Sequence, residues 1–183
     1  GPGEFRLSGT ETVSATELAG WLNTLQQNIQ GTLTVVYDAC ESGSFQEALR
    51  APAGFEDKRV VVTSTAPGQS AYFVTQGTVS FSNYFWTQVF NGLTIGESFT
   101  QAKDAMSQTF TLQSPLLDAN WNGTTNETAD LTVANQKYIG NGVRQYWEGP
   151  TIDAVGVVDA QPLDGTSTAN LYADGVIDPD GIA

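Results

Sequence analysis

The chain holds a single thiol, Cys40. It ends an apolar run and precedes a turn of small polar residues in "LTVVYDACESGSF", residues 33–45. A cysteine at the end of a strand can be a nucleophile as its thiolate, or inert filler, since free cysteines are among the most buried residues. The turn "ESGS" bends sharply and leaves main-chain N–H groups available to stabilise a thiolate and an oxyanion. Asp38 lies two residues back, on the same face of the strand. A carboxylate so close opposes thiolate formation, so Asp38 reads as a structural hydrogen-bonding group. Ser42 and Ser44 are weaker nucleophile candidates, because no G-x-S-x-G elbow surrounds them. The chain has no histidine, so its own residues cannot pair the thiol with an imidazole.

A second cluster offers oxygen ligands. In "DANWNGTTNETAD", Asp118, Asn120, Asn122 and Gly123 match positions 1, 3, 5 and 6 of a calcium loop. Thr124 would give its carbonyl and Asn126 falls at position 9. Position 12 holds Ala129 rather than glutamate, with Glu127 and Asp130 flanking it. The alternative is a solvated Asn/Gly turn. Asn122 and Asn126 also begin glycosylation sequons.

The elements around Cys40 follow from periodicity. "SATELAGWLNTLQQNI" (14–29) has capping-box spacing at Ser14 and Glu17, and Leu18, Trp21, Leu22, Leu25 and Ile29 recur at helical spacing. "LTVVYDA" (33–39) and "RVVVTST" (59–65) are continuous apolar, β-branched runs, expected as buried strands. "EFRL" (4–7) is a short strand and residues 45–50 a short helix. "SFSNYFWTQVFNG" (80–92) and "TIGESFTQAKDAMSQTF" (94–110) are helices, the second with capping-box spacing at Thr94 and Glu97 and an apolar face of Phe99, Ala102, Ala105 and Met106. This order predicts an α/β fold with a mostly parallel sheet, in which sites lie beyond the carboxyl ends of the strands. Residues 1–112 form the α/β domain and 113–149 an Asn/Asp-rich loop region. Residues 150–183 form a peripheral β extension or the start of a following domain.

Composition narrows the function classes. The formal net charge is −13, from 20 acidic and 7 basic residues. Such a chain repels nucleic acid and anionic lipid, and suits basic substrates or divalent cations. No apolar run approaches the roughly 18 residues of a membrane helix. One cysteine excludes an internal disulfide and a zinc–thiolate cluster. The Thr-, Asn- and Gly-rich, Lys-poor composition suits an exported bacterial protein, whether secreted, periplasmic or at the cell surface.

"VVYDACESGSF" resembles the nucleophile strand of the cysteine peptidases that include legumain, caspases and gingipains, with "ACESGS" especially similar to legumain. "VVVTSTAPGQSAYF" resembles the next strand and its substrate-binding loop, with a Pro-x-(Glu/Gln)-Ser-x-Tyr pattern at Pro67, Gln69, Ser70 and Tyr72. The resemblance spans residues 4–110, and it implies a caspase-like three-layer sandwich and peptide-bond hydrolysis. Cys40 would be the nucleophile and its own amide half of the oxyanion hole. Glu41, Ser64, Thr65, Ser70 and Ala71 would line the first substrate pocket. The general base would be a histidine in a His-Gly motif on the same protein, just ahead of a segment like "GPGEFRLSGTE"; Gly1 to Phe5 are then native or vector-derived. Without that histidine, the expectation for this chain alone is near-inactivity. The segment that reads an asparagine side chain in legumain matches Gly77-Thr78, which has no carboxylate. No cofactor is implied beyond a structural calcium held by Asp118, Asn120, Asn122, Thr124, Asn126 and Asp130. Two other readings stand beside this one: a non-catalytic caspase-like binding or scaffold module, and a calcium-stabilised secreted adhesion module.

Overall fold

Capping and apolar periodicity account for the helices in a computed structural model that describes residues 2–140, 154–158 and 170–174. The chain divides into two compact units, Gly1–Arg144 and Gln145–Ala183. In the first, β1 (Glu4–Arg6) and β2 (Thr12–Ser14) form an antiparallel hairpin leading into α1 (Ala15–Asn28). Then come β3 (Leu33–Tyr37), a 3-10 turn (Ser42–Phe45), β4 (Arg59–Thr63), α2 (Phe81–Phe90), α3 (Ile95–Thr109), β5 (Leu116–Asp118) and α4 (Thr128–Ala134). In the second unit, β6 (Ala154–Val158) pairs antiparallel with β7 (Asn170–Asp174).

Both predicted capping boxes form. The Ser14 hydroxyl accepts from the Glu17 N–H while the Glu17 carboxylate accepts from the Ser14 N–H. Thr94 and Glu97 do the same at the start of α3. Each pair satisfies two N–H groups that the first helical turn leaves without intrahelical partners.

The central sheet runs β3-β4-β5. β3 and β4 are parallel, with Val35 opposite Val61. β5 is antiparallel to β4, with Leu117 opposite Val62. The described sheets are therefore mixed rather than mostly parallel. The two helices between β4 and β5 return the chain to the carboxyl end of β4, where Leu116 pairs with Thr63, and from there β5 runs back along β4. β5 and α4 both lie in the stretch expected to be a loop. β4 is buried along its whole length, as expected, whereas all five residues of β3 are half-buried, because β3 is an edge of this sheet.

Side chains alternate across β4 and divide the core. Val60 and Val62 pack with Leu117 against Phe81, Phe85, Ile95, Phe99, Ala102 and Met106 of α2 and α3 and Ala134 of α4. Val61 faces the other way, onto Ala15 and Ala19 of α1 and onto Phe45 and Leu49. Helices thus cover both faces. The buried stripe of α1 differs from expectation. Ala15, Ala19 and Gln26 are buried and Leu18 and Leu22 flank them, while Trp21 and Leu25 are exposed. Arg59 sets this rotation. Its buried guanidinium donates to Gln26 Oε1 and to the carbonyls of Leu49 and Arg50, so a polar residue of the helix faces the sheet.

Among the described residues, no helix is long and apolar enough to cross a membrane. The short helix expected at 45–50 is replaced by the 3-10 turn and the turns that follow it.

Candidate functional site

β3 and β4 are parallel neighbours, so their carboxyl ends lie side by side and the loops that leave them meet. The strand part of the first run stops at Tyr37, and Asp38 to Glu41 carry the chain out. Cys40 is exposed there. Tyr37 faces Phe45 and Phe5 at ring distances of 4.9 and 5.6 Å. Burial, and then the nearby charge of Cys40, hold the Tyr37 hydroxyl above its ordinary pKa.

The turn after Cys40 is braced from several sides. Glu41 takes a left-handed conformation, φ 58°, which a residue with a side chain adopts only when its surroundings compel it. The Glu41 N–H donates to Gln69 O at 2.7 Å, and the Ser44 hydroxyl donates to Glu41 O at 2.7 Å. Ser44 in turn accepts from the Gly3 N–H at 2.8 Å, tying the N-terminal hairpin to the turn. Beneath it lies a buried hydroxyl cluster. The Ser42 N–H donates to Thr65 Oγ1, the Thr65 N–H donates to Ser42 Oγ, and Ser42 and Ser64 share a further bond. Gly43 is packed against Thr65 and Pro67, leaving no room for a Cβ.

The N–H groups of Glu41, Ser42 and Ser44 are therefore engaged, contrary to the expectation that the turn's amides stand free. The donor that reaches the sulfur comes from the neighbouring loop: the Ala71 N–H lies 3.4 Å from Cys40 Sγ, and Sγ lies 3.9 Å from Ala71 O. Among the described residues, the N–H of Cys40 itself carries no hydrogen bond.

The expected pocket residues divide into two groups. Glu41, Ser70 and Ala71 gather at the mouth of the site, with Ser70 exposed and Glu41 and Ala71 half-buried. The Glu41 Oε2 atom is shielded from solvent and has no hydrogen-bond partner among the described residues. Ser64 and Thr65 are fully buried at 0 % exposure, their hydroxyls bound to Ser42. They support the turn after Cys40 from below and present no side chain to solvent. Gly77 and Thr78 belong to a tight turn closed by the Val74–Val79 bridge.

Three further residues, Asp38 among them as the structural hydrogen-bonding group expected, hold the parts of the site together. The Asp38 carboxylate accepts from the Ser82 N–H at 2.9 Å, fixing the first turn of α2 to the end of β3. Gln69 Oε1 accepts from the N–H groups of Ala66 and Ser114. Gln113 Oε1 accepts from the Tyr72 N–H at 2.9 Å, and its Nε2 donates to Ser64 O at 3.0 Å. No local pattern marks Gln113. The one sequence signal for Gln69 is its place in the Pro-x-Gln-Ser-x-Tyr pattern.

The oxygen-rich loop is organised around main-chain donors. Asp130, fully buried, accepts from the N–H groups of Ala119, Asn120 and Glu127. Asp118 accepts from the Trp121 N–H and lies 3.9 Å from Arg50 Nε. Burial foremost, with Asp130 nearby, raises the Asp118 pKa, against the lowering effects of the Trp121 N–H and of Arg50. Asn126 Oδ1 accepts from the Leu117 N–H, Asn120 Oδ1 from the Asn122 N–H, and Asn122 Oδ1 from the Thr124 N–H. The side-chain amides of Asn120 and Asn122 both donate to Glu127. Asp118, Asn120, Asn122, Asn126 and Asp130 thus form interlocked turns. Among the described residues, no group of three or more His, Cys, Asp or Glu side chains is placed to hold a metal ion.

No protein-family model matches the chain, and no curated protein matches it.

Proposed function

We propose that the chain is the nucleophile-bearing part of a cysteine endopeptidase of the legumain–caspase type, with the caspase-like three-layer sandwich as its architecture. The observation that carries this reading is the exposed Cys40 sulfur at the carboxyl end of a parallel strand, with the Ala71 N–H directed at it. The thiolate is the nucleophilic form of a cysteine, and an exposed sulfur at a strand end can reach a substrate carbonyl.

In the proposed reaction the Cys40 thiolate attacks the carbonyl carbon of a peptide or protein substrate. A C–S bond forms and the carbonyl π electrons move to oxygen, where the Cys40 N–H can donate to them. Collapse breaks the C–N bond, and the departing amine takes a proton from the general acid. Water then hydrolyses the thioester and frees the thiol. The reaction needs no cofactor. The base that takes the thiol proton, and as its conjugate acid protonates the amine, must be an imidazole from outside this sequence, which has no histidine. General-base assistance contributes about 10²–10⁴-fold, so the chain alone cleaves slowly.

Chemical rescue tests the reading. A peptide mixture presenting every residue type at the cleavage position is incubated with the protein, with and without millimolar imidazole, and cleavage is read by mass spectrometry. Cleavage that imidazole accelerates and Cys40→Ala abolishes is expected. If no Cys40-dependent cleavage appears in either condition, the endopeptidase reading is wrong.

A further inference from the structure

We propose that Gln113 is a positioning residue for the Cys40 site, acting through the loop that carries the Ala71 N–H. The inference rests on the reading of Cys40 as a nucleophile and extends it to a residue 73 positions away in the chain.

Residues 66–72 contribute both main-chain contacts to the nucleophile turn: Gln69 O receives the Glu41 N–H and the Ala71 N–H reaches the sulfur. A loop of this kind has few bonds of its own, among them Gln69 N–H to Ala66 O. Its position is set from outside, by residues 110–114. Tyr72 stacks on Phe110, with centroids 4.7 Å apart and planes 4° from parallel. Gln69 bonds the N–H and hydroxyl of Ser114. Gln113, only 4 % exposed, joins the two strand-end loops. Its Oε1 takes the N–H of Tyr72, the residue next to Ala71, and its Nε2 donates to the carbonyl of Ser64, just past the end of β4.

A carboxamide suits this place because it carries an acceptor and a donor back to back. Ser64 belongs to the hydroxyl cluster beneath the nucleophile turn. Gln113 therefore couples the floor of the site to the loop over its sulfur. Without it, the Tyr72 N–H and the Ser64 carbonyl are left without these partners, and the loop must shift to find water. A shift of a few tenths of an ångström takes the Ala71 N–H, already at 3.4 Å, away from the sulfur.

The test compares rates of Cys40 alkylation by iodoacetamide in wild type, Gln113→Leu and Gln113→Glu across pH 5 to 8.5, with circular dichroism confirming the fold. Gln113→Leu should react about tenfold more slowly than wild type from pH 5 to 7.5, the loss expected when one hydrogen bond to the thiolate is removed. Gln113→Glu should behave differently. Burial raises the pKa of a carboxyl introduced there. Its protonated form can accept from Tyr72 and donate to Ser64, so it should match wild type near pH 5. It should fall toward the Leu variant as it ionises. This acid-side recovery is a signature that general loosening of the fold would not produce, and it survives if Gln113→Leu does not fold. Folded variants that react within twofold of wild type at pH 7.5 overturn the positioning role alone. A wild-type rate no faster than that of the urea-unfolded chain overturns the nucleophile reading, and the positioning role with it.

Discussion

The main-chain N–H of Ala71 donates to the Cys40 sulfur at 3.4 Å, across a sequence separation of 31 residues. The two residues meet because β3 and β4 are parallel neighbours in register, so both loops emerge at the same edge of the sheet. Proline at position 71 has no N–H to donate. Ala71→Pro should therefore slow Cys40 alkylation by about tenfold near neutral pH, since a hydrogen bond to a charged group contributes about 1.5–3 kcal/mol. An unchanged rate in a folded variant would remove Ala71 from the site.

Gly43 is the second constraint on the turn. A Cβ there would lie 2.5 Å from Thr65 O and 2.8 Å from Pro67 Cδ. Thr65 is anchored by its hydrogen bonds to Ser42. Gly43→Ala should cost about 1–3 kcal/mol, as overpacking does, and should also disturb Cys40 reactivity. Urea unfolding curves measure the first effect. A variant as stable as wild type would mean that the turn can move without penalty.

Asp118 gives a signed prediction for pH. Burial raises its folded-state pKa above the ordinary aspartate value of about 3.9. The folded protein then holds the Asp118 proton more tightly than the unfolded chain does. Its contribution to stability is fully present below the ordinary value and is lost as pH rises through the raised one. Asp118→Asn keeps an acceptor for the Trp121 N–H and does not titrate. The stability of the variant minus that of wild type should therefore increase as pH rises from about 4 toward neutrality. Urea titrations at several pH values would show it, and a difference that falls with pH would contradict the assignment.

At residues 118–130 a calcium ion would have to share side-chain oxygens that already accept from the main-chain N–H groups of Ala119, Asn120, Trp121, Asn122, Thr124 and Glu127. Calorimetric titration with millimolar calcium should accordingly give no binding heat and no rise in melting temperature. Heat with a defined stoichiometry would establish the cation site.

Local signals in the chain were enough to establish several elements. Ser14–Glu17 and Thr94–Glu97 mark helix starts because a capping box involves only residues three apart. The runs at 33–37 and 59–63 read as strands because β-branched side chains fit a pleated, enclosed surface. The small residues after Cys40 announced a turn, and the turn is there. What the local pattern could not hold is anything decided by pairing at a distance. β5 has three residues, too few for a period to show, and exists because Val62 needs Leu117 beside it. α1 turns Gln26 rather than Trp21 inward because Arg59 lies beneath it.

The same division runs through the site. That Cys40 stands at the end of a strand was legible in thirteen consecutive residues. Which amide faces its sulfur, why Ser64 and Thr65 lie under the turn instead of lining its mouth, and that Gln113 bridges the two loops were settled only by the parallel pairing of β3 with β4 and by the return of the chain after α3. Each is a hydrogen bond between residues more than twenty positions apart. Such a bond depends on where the backbone has been carried, and no periodicity in the intervening residues encodes it.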